Sequence, residues 1–97
     1  MAILSVASAW ELAIKHALGK LPLHGSPSQL VEVSVRELNM SVLPIALGHA
    51  LAAAGLPLHH RDPFDRMLVA QAQLDGLTLV TADAALQAYG GALLWAG

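Results

Sequence analysis

The chain reads as short apolar runs alternating with amphipathic stretches. "AILSVAS", from Ala2 to Ser8, is apolar and meets a helix signal at its end, which predicts a short buried strand. Behind it Trp10, Ala13, Ile14, Ala17 and Leu18 recur at helical spacing until Gly19, predicting a helix with that apolar stripe inward. "GSPSQLVEVSVREL" predicts a second helix, with Ser26 as N-cap, Pro27 at the first helical position and Leu30, Val31, Ser34, Val35 and Leu38 inward. "MSVLPI" predicts a strand ended by Pro44. Ala46 to Ala54 reads as a third helix stopped by Gly55, and Pro63 to Asp75 as a fourth with Phe64, Met67, Leu68 and Ala72 facing inward. "GLTLVT" is the clearest strand. A short helix near Asp83 to Tyr89, a Gly90-Gly91 turn and a strand "ALLW" complete the chain. Strands alternating with helices predict an α/β domain, a parallel sheet flanked by helices. No linker or internal repeat divides it, so residues 1–97 are read as a single domain.

Composition sharpens this picture. The 97 residues are 56% hydrophobic and 12% charged, against ~25% charged in an ordinary soluble domain. So little charge on so small a domain implies an additional apolar face, used in oligomerisation or partner binding. The net charge of −2 supplies no basic field for nucleic acid, so any such contact is local. The absence of cysteine excludes disulfides, thiolate metal sites and cysteine nucleophiles, and fits an intracellular, cytoplasmic protein. The apolar start has no basic segment ahead of it, unlike a signal peptide. The run from Val42 to Leu58 carries His49, Gly48, Gly55, Pro44 and Pro57 and is shorter than the ~20 residues a spanning helix needs, so no membrane role is expected.

Charge concentrates in "HHRDPFDRMLVAQA", where Arg61, Asp62, Asp65 and Arg66 follow His59 and His60. Helix chemistry accounts for much of the acid pattern taken singly. Ser8 and Glu11 have the spacing of a capping box, and Glu11 precedes Lys15 by one helical turn. Asp62 is the expected N-cap ahead of Pro63, with Asp65 in the first turn at the positive end of the helix dipole. Thr81 or Asp83 is placed to cap the short helix behind "GLTLVT". Together the acids mean more. Glu11 and Asp83 each follow a predicted parallel strand, Asp65 opens a helix of the same layer, and the strand ends of such a sheet share one ligand-binding edge. Three carboxylates there suit a hard cation, Mg²⁺ or Mn²⁺, able to activate water against a phosphodiester. Lys15, Lys20, Arg61 and Arg66 are expected to rim that edge and meet phosphates, with Lys15, Arg61 and Arg66 as the candidate RNA contacts. His59 and His60 read as a loop before the helix, and no histidine has metal-ligand spacing.

In order and spacing, "S-V-A-S-A-W-E-L-A-I-K", "G-K-L-P-L", "L-P-L-H-H-R-D-P-F-D-R-M-L-V-A-Q-A", "L-T-L-V-T-A-D" and "Y-G-G-A-L-L-W" resemble the PIN-domain ribonuclease toxins of the VapC type, over essentially the whole chain. The resemblance implies an Mg²⁺-dependent endoribonuclease of a toxin–antitoxin pair, usually a homodimer, neutralised by an antitoxin whose C-terminal segment binds the acidic cleft. By position, Glu11, Asp65 and Asp83 match the family's acids, and Asp62 the first Asp of "D-P-F-D", read as the helix cap. Proteins of this type carry an apolar strand ending in an Asp ahead of the "S-x-W-E" region. Met1 stands at that region, so an N-terminally truncated PIN sheet is expected, lacking its central strand and first acid. The strands flanking the gap then close onto each other, or a second chain fills it by strand exchange. Two readings follow for activity: a nuclease resting on the remaining acids, or a catalytically impaired PIN remnant that only dimerises or binds the antitoxin. A regulatory α/β module using the acids purely as caps fits the local rules but not the resemblance.

Overall fold

The computed structural model describes residues 1–20, 25–57, 62–81 and 92–96. In chain order these form β1 (Ala2–Ser5), α1 (Val6–Ala17), α2 (Pro27–Glu37), β2 (Ser41–Leu43), α3 (Leu47–Ala54), α4 (Pro63–Asp75), β3 (Thr78–Thr81) and β4 (Ala92–Trp95). The architecture is α/β, as the alternation of strand and helix patterns predicts. The segment expected to form the last short helix and the Gly90-Gly91 turn lies outside the described residues.

The four strands make one sheet in the order β2-β1-β4-β3. β1 and β2 are parallel, in the register Ile3↔Ser41 to Ser5↔Leu43. β4 runs antiparallel to both of its neighbours, opposing Leu94 to Ile3 on one side and to Leu79 on the other. The sheet is therefore mixed rather than wholly parallel. Chain length gives the reason, since the connection from Thr81 to Ala92 is shorter than the dozen or so residues of a parallel crossover. The pairs β1/β2 and β3/β4 close onto each other through β1 and β4. Met1 and Ala96 extend that seam by exchanging both backbone hydrogen bonds, at 3.0 and 3.1 Å.

Strand alternation distributes the core. Leu4 packs with Met40, and Ala2, Val31 and Val35 close around them, so α2 covers that face. Ser5 points the other way, to α4, where Leu68, Ala70 and Gln71 are buried. α1 packs against both α2 and α4, and α3 lies against α4.

Two sequence expectations shift. α1 begins immediately after Ser5, whose hydroxyl accepts the Ala7 N–H at 3.0 Å, so Ser5 and not Ser8 is the N-cap. Ser8 is buried inside the first turn, and the inward face is Ala7, Ser8 and Leu12, while Trp10 and Leu18 stand exposed. Leu38, expected on the inward stripe of the second helix, is exposed as well; the helix caps and stops elsewhere agree with the sequence. Ser26 caps α2 in a reciprocal box with Gln29, and Pro27 occupies the first position. Gly76 ends α4 in the left-handed conformation (φ 65°), which a residue without Cβ adopts at no steric cost. Leu47 and Leu51 on α3 and Leu74 on α4 are left exposed, as a chain this poor in charge must leave some apolar surface.

The Ser5 hydroxyl donates to Gln71 Oε1 at 2.5 Å, with both residues wholly buried. Gln71→Leu strands that hydroxyl and is expected to lower the unfolding free energy by about 2 kcal/mol. The exposed Gln73→Leu on the same helix is expected to change it by less than ~0.5 kcal/mol. Urea unfolding of the two variants checks the difference.

Candidate functional site

β3 is parallel to β1, since both run antiparallel to β4, so the C-terminal ends of β1, β2 and β3 lie on one edge of the sheet. α1 leaves β1 at that edge and carries Glu11 on its second turn. α4 begins at Asp62, whose Oδ1 accepts the Phe64 and Asp65 N–H groups at 2.8 and 3.1 Å. That double cap, with Pro63 at the first position, sets Asp65 exposed in the first turn. The two helices are pinned together by Trp10 and Phe64, whose rings meet edge to face at 5.3 Å and 81°. Each ring directly precedes one of the acids in sequence, so the aromatic contact also fixes Glu11 relative to Asp65.

The Glu11 side chain is only 14% exposed and contacts Lys15 Nζ at 3.7 Å. Burial pushes its carboxyl above the usual carboxylate range; Lys15 draws it back, and the negative charges of Asp62 and Asp65 push it further up. Glu11, Asp62 and Asp65 thus sit close enough to feel one another. Their oxygens are the hard donors that a divalent cation takes, so the chemistry of the donor set fits Mg²⁺ or Mn²⁺. Among the described residues, however, no three acid or histidine side chains converge closely enough to enclose an ion. Asp83, two positions beyond β3, lies outside the described residues, as do Arg61, His59 and His60.

The basic rim is reassigned in one place. Arg66 Nε donates to the Ala53 carbonyl at 3.1 Å, and its terminal nitrogens donate to Ala54, Leu56 and Pro57 at 3.0–3.3 Å. A planar fork of donors at the negative end of α3 is a helix C-cap, so Arg66 ties α3 to α4. Lys15 is held on Glu11.

Sequence reasoning passed over Gln71 and His49. Gln71 Nε2 donates to the Pro44 carbonyl at 3.3 Å and lies 3.4 Å from His49 Nδ1. His49 Nδ1 accepts the Ala46 N–H at 2.9 Å, and Nε2 meets Asp75 Oδ1 at 3.1 Å. The available signal was a glutamine between two alanines on the buried side of α4. Ala7 and Trp10 of α1, Ala53 of α3 and Phe64 and Met67 of α4 line a largely apolar cavity of about 290 Å³.

A family model, that of the PIN domain, matches residues 1–92. No curated protein and no solved structure matches the chain. No helix among the described residues is long and apolar enough to cross a membrane.

Two measurements check the electrostatics. With Glu11 raised, its charge is resisted by the fold: stability is full below the unfolded-state titration range and falls as pH rises through the folded one. Glu11→Gln is therefore expected to raise Tm at pH 7 without divalent ions, with the gain vanishing near about pH 3, where Glu is neutral in both states. Arg66→Lys keeps the charge but loses the fork, and is expected to cost about 2 kcal/mol in chemical unfolding. A phosphate-contacting arginine would leave stability unchanged.

Proposed function

Because the chain belongs to the PIN-domain family, we propose that it is a VapC-like, divalent-metal-dependent endoribonuclease, the toxin of a cytoplasmic toxin–antitoxin pair. The observation that carries the reading is that Glu11 on α1 and Asp65 at the start of α4 are borne by two helices joined through the Trp10–Phe64 ring contact, on the sheet edge where the three parallel strands end. Glu11, Asp65 and Asp83 are the residues that would hold Mg²⁺ or Mn²⁺. When bound, such an ion supplies charge neutralisation for the phosphodiester and a more acidic water.

The chain's own groups do the positioning. Asp62 sets the start of α4 and, through it, the direction of Asp65. Trp10 and Phe64 hold the two acid-bearing helices at fixed separation. Lys15 balances part of the Glu11 charge across 3.7 Å and is near enough to steer a phosphate oxygen toward the acids. The chain contains no cysteine, and the reading assigns the attack on phosphorus to water rather than to a protein nucleophile.

A second reading rests on the observation that no three metal-ligating side chains converge among the described residues. On it, the chain is a PIN remnant that binds RNA or antitoxin, or pairs with a second copy, without cleaving.

Cleavage of a labelled RNA in Mn²⁺ or Mg²⁺ separates the two. The nuclease reading expects cleavage by the native chain, abolished by EDTA and by Asp65→Asn at unchanged circular dichroism. A folded sample that leaves the RNA intact in both ions overturns it in favour of the binding remnant.

A further inference from the structure

We propose that the cavity beside Trp10 is a subsite for one unpaired nucleobase of the RNA, next to the acids. The inference rests on the nuclease reading and names the part of the substrate that the chain grips away from the scissile bond.

Trp10 is 57% exposed, yet its ring is not loose, because Phe64 holds it edge to face at 5.3 Å. An exposed aromatic face that is already ordered loses little freedom when another ring stacks on it. The cavity it borders holds about 290 Å³, at the small end of ligand pockets, which suits one flat ring system rather than a folded peptide turn. Its walls are apolar except for Arg66, whose guanidinium is engaged on the carbonyls that end α3. The cavity therefore offers an occupant apolar walls with one cation held in place at its side.

Charge then divides the ligand. Glu11 and Asp65 directly follow Trp10 and Phe64 in the sequence, so each acid neighbours a residue of the cavity lining without belonging to that lining. A nucleotide satisfies both environments, its neutral base against Trp10 and its phosphate outside at the acids, where a cation meets it. Stacking on an aromatic platform is available only to bases that are not paired, which selects single-stranded segments or loops and reads sequence weakly.

The test uses the whole chain in a Trp95→Phe background, so that emission reports on Trp10. A single-stranded RNA hexamer and the same hexamer made wholly abasic are titrated in Ca²⁺. The base subsite expects the intact hexamer to quench Trp10 and to bind about tenfold more tightly than the abasic one. It also expects Trp10→Ala to erase that difference in an anisotropy titration, and Trp10→Phe to restore most of it. Thermal unfolding shows that each variant is folded, and the intact-versus-abasic comparison requires no variant of Trp10. Equal binding of the two hexamers overturns the subsite, as does quenching by an apolar peptide but not by RNA. Cleavage in Mn²⁺ without Trp10 quenching removes the subsite and leaves the nuclease reading standing. Base-dependent quenching without cleavage does the reverse.

Discussion

The hydrogen bond from Ser5 to Gln71 is the constraint on which the rest of this small fold hangs. One hydroxyl does two things at the point where β1 turns into α1. It accepts the Ala7 N–H, which starts the helix, and it donates to Gln71 in the middle of α4. The origin of α1 and its distance from α4 are thereby set by the same atom. Glu11 lies six positions after Ser5 on a continuous helix, so its placement against Asp65 follows from that junction. A wholly buried hydroxyl and a wholly buried carboxamide are costly unless every group is paired, and no buried side-chain polar atom among the described residues lacks a partner. The need for pairing is what makes the junction specific: an apolar contact of the same volume would tolerate a slip of one residue along α4.

The network continues through Gln71 to the loop ahead of α3 and to His49. α3 starts at Ala46, which has no side chain to offer the exposed amides of a first turn. His49 instead holds the N-cap residue from within the helix by accepting the Ala46 N–H on Nδ1, which leaves the proton on Nε2, facing Asp75. Asp75 sits in the last turn of α4, where the helix dipole disfavours a carboxylate, and the imidazole N–H offsets that cost. Arg66 completes the attachment by taking the C-terminal carbonyls of α3. Thus α3 is fastened to α4 at both ends by polar groups. This leaves its outer leucines, Leu47 and Leu51, free of any structural duty toward the core.

Much of this was legible in the sequence where the signal was local. The alternation of elements, the Ser26 box and the Asp62 cap all depend on residues within one turn of each other. The α1 start was not legible, because "S-V-A-S" offers two serines three apart, and Ser8 with Glu11 imitates a capping box. The choice is made by Gln71, 66 positions away, which pairs with Ser5. The antiparallel course of β4 escaped for a related reason: strand residues alternate identically in either direction, and only the pairing partner reveals the sense. Arg66 read as a surface cation because nothing nearby in sequence shows that the end of α3 comes to rest over it. In each case the deciding contact is tertiary.

The charge cluster that dominates the sequence resolves into groups with opposite duties. Asp62 is committed to two backbone amides, and Arg66 to helix carbonyls. Lys15 leans on Glu11 at 3.7 Å with its own side chain about two-fifths exposed, which is too solvated a pair to neutralise the acid. What remains at the edge is an excess of negative charge, on a chain that has little charge to spare. An unbalanced buried carboxylate weakens a fold, and nothing in the packing of α1 requires one there, since glutamine would make the same helix. The persistence of acid at a place where the fold resists it is what separates a site from a cap. A cap is satisfied by the backbone it serves, as Asp62 is, whereas Glu11 keeps a charge that burial resists and that Lys15 only partly balances.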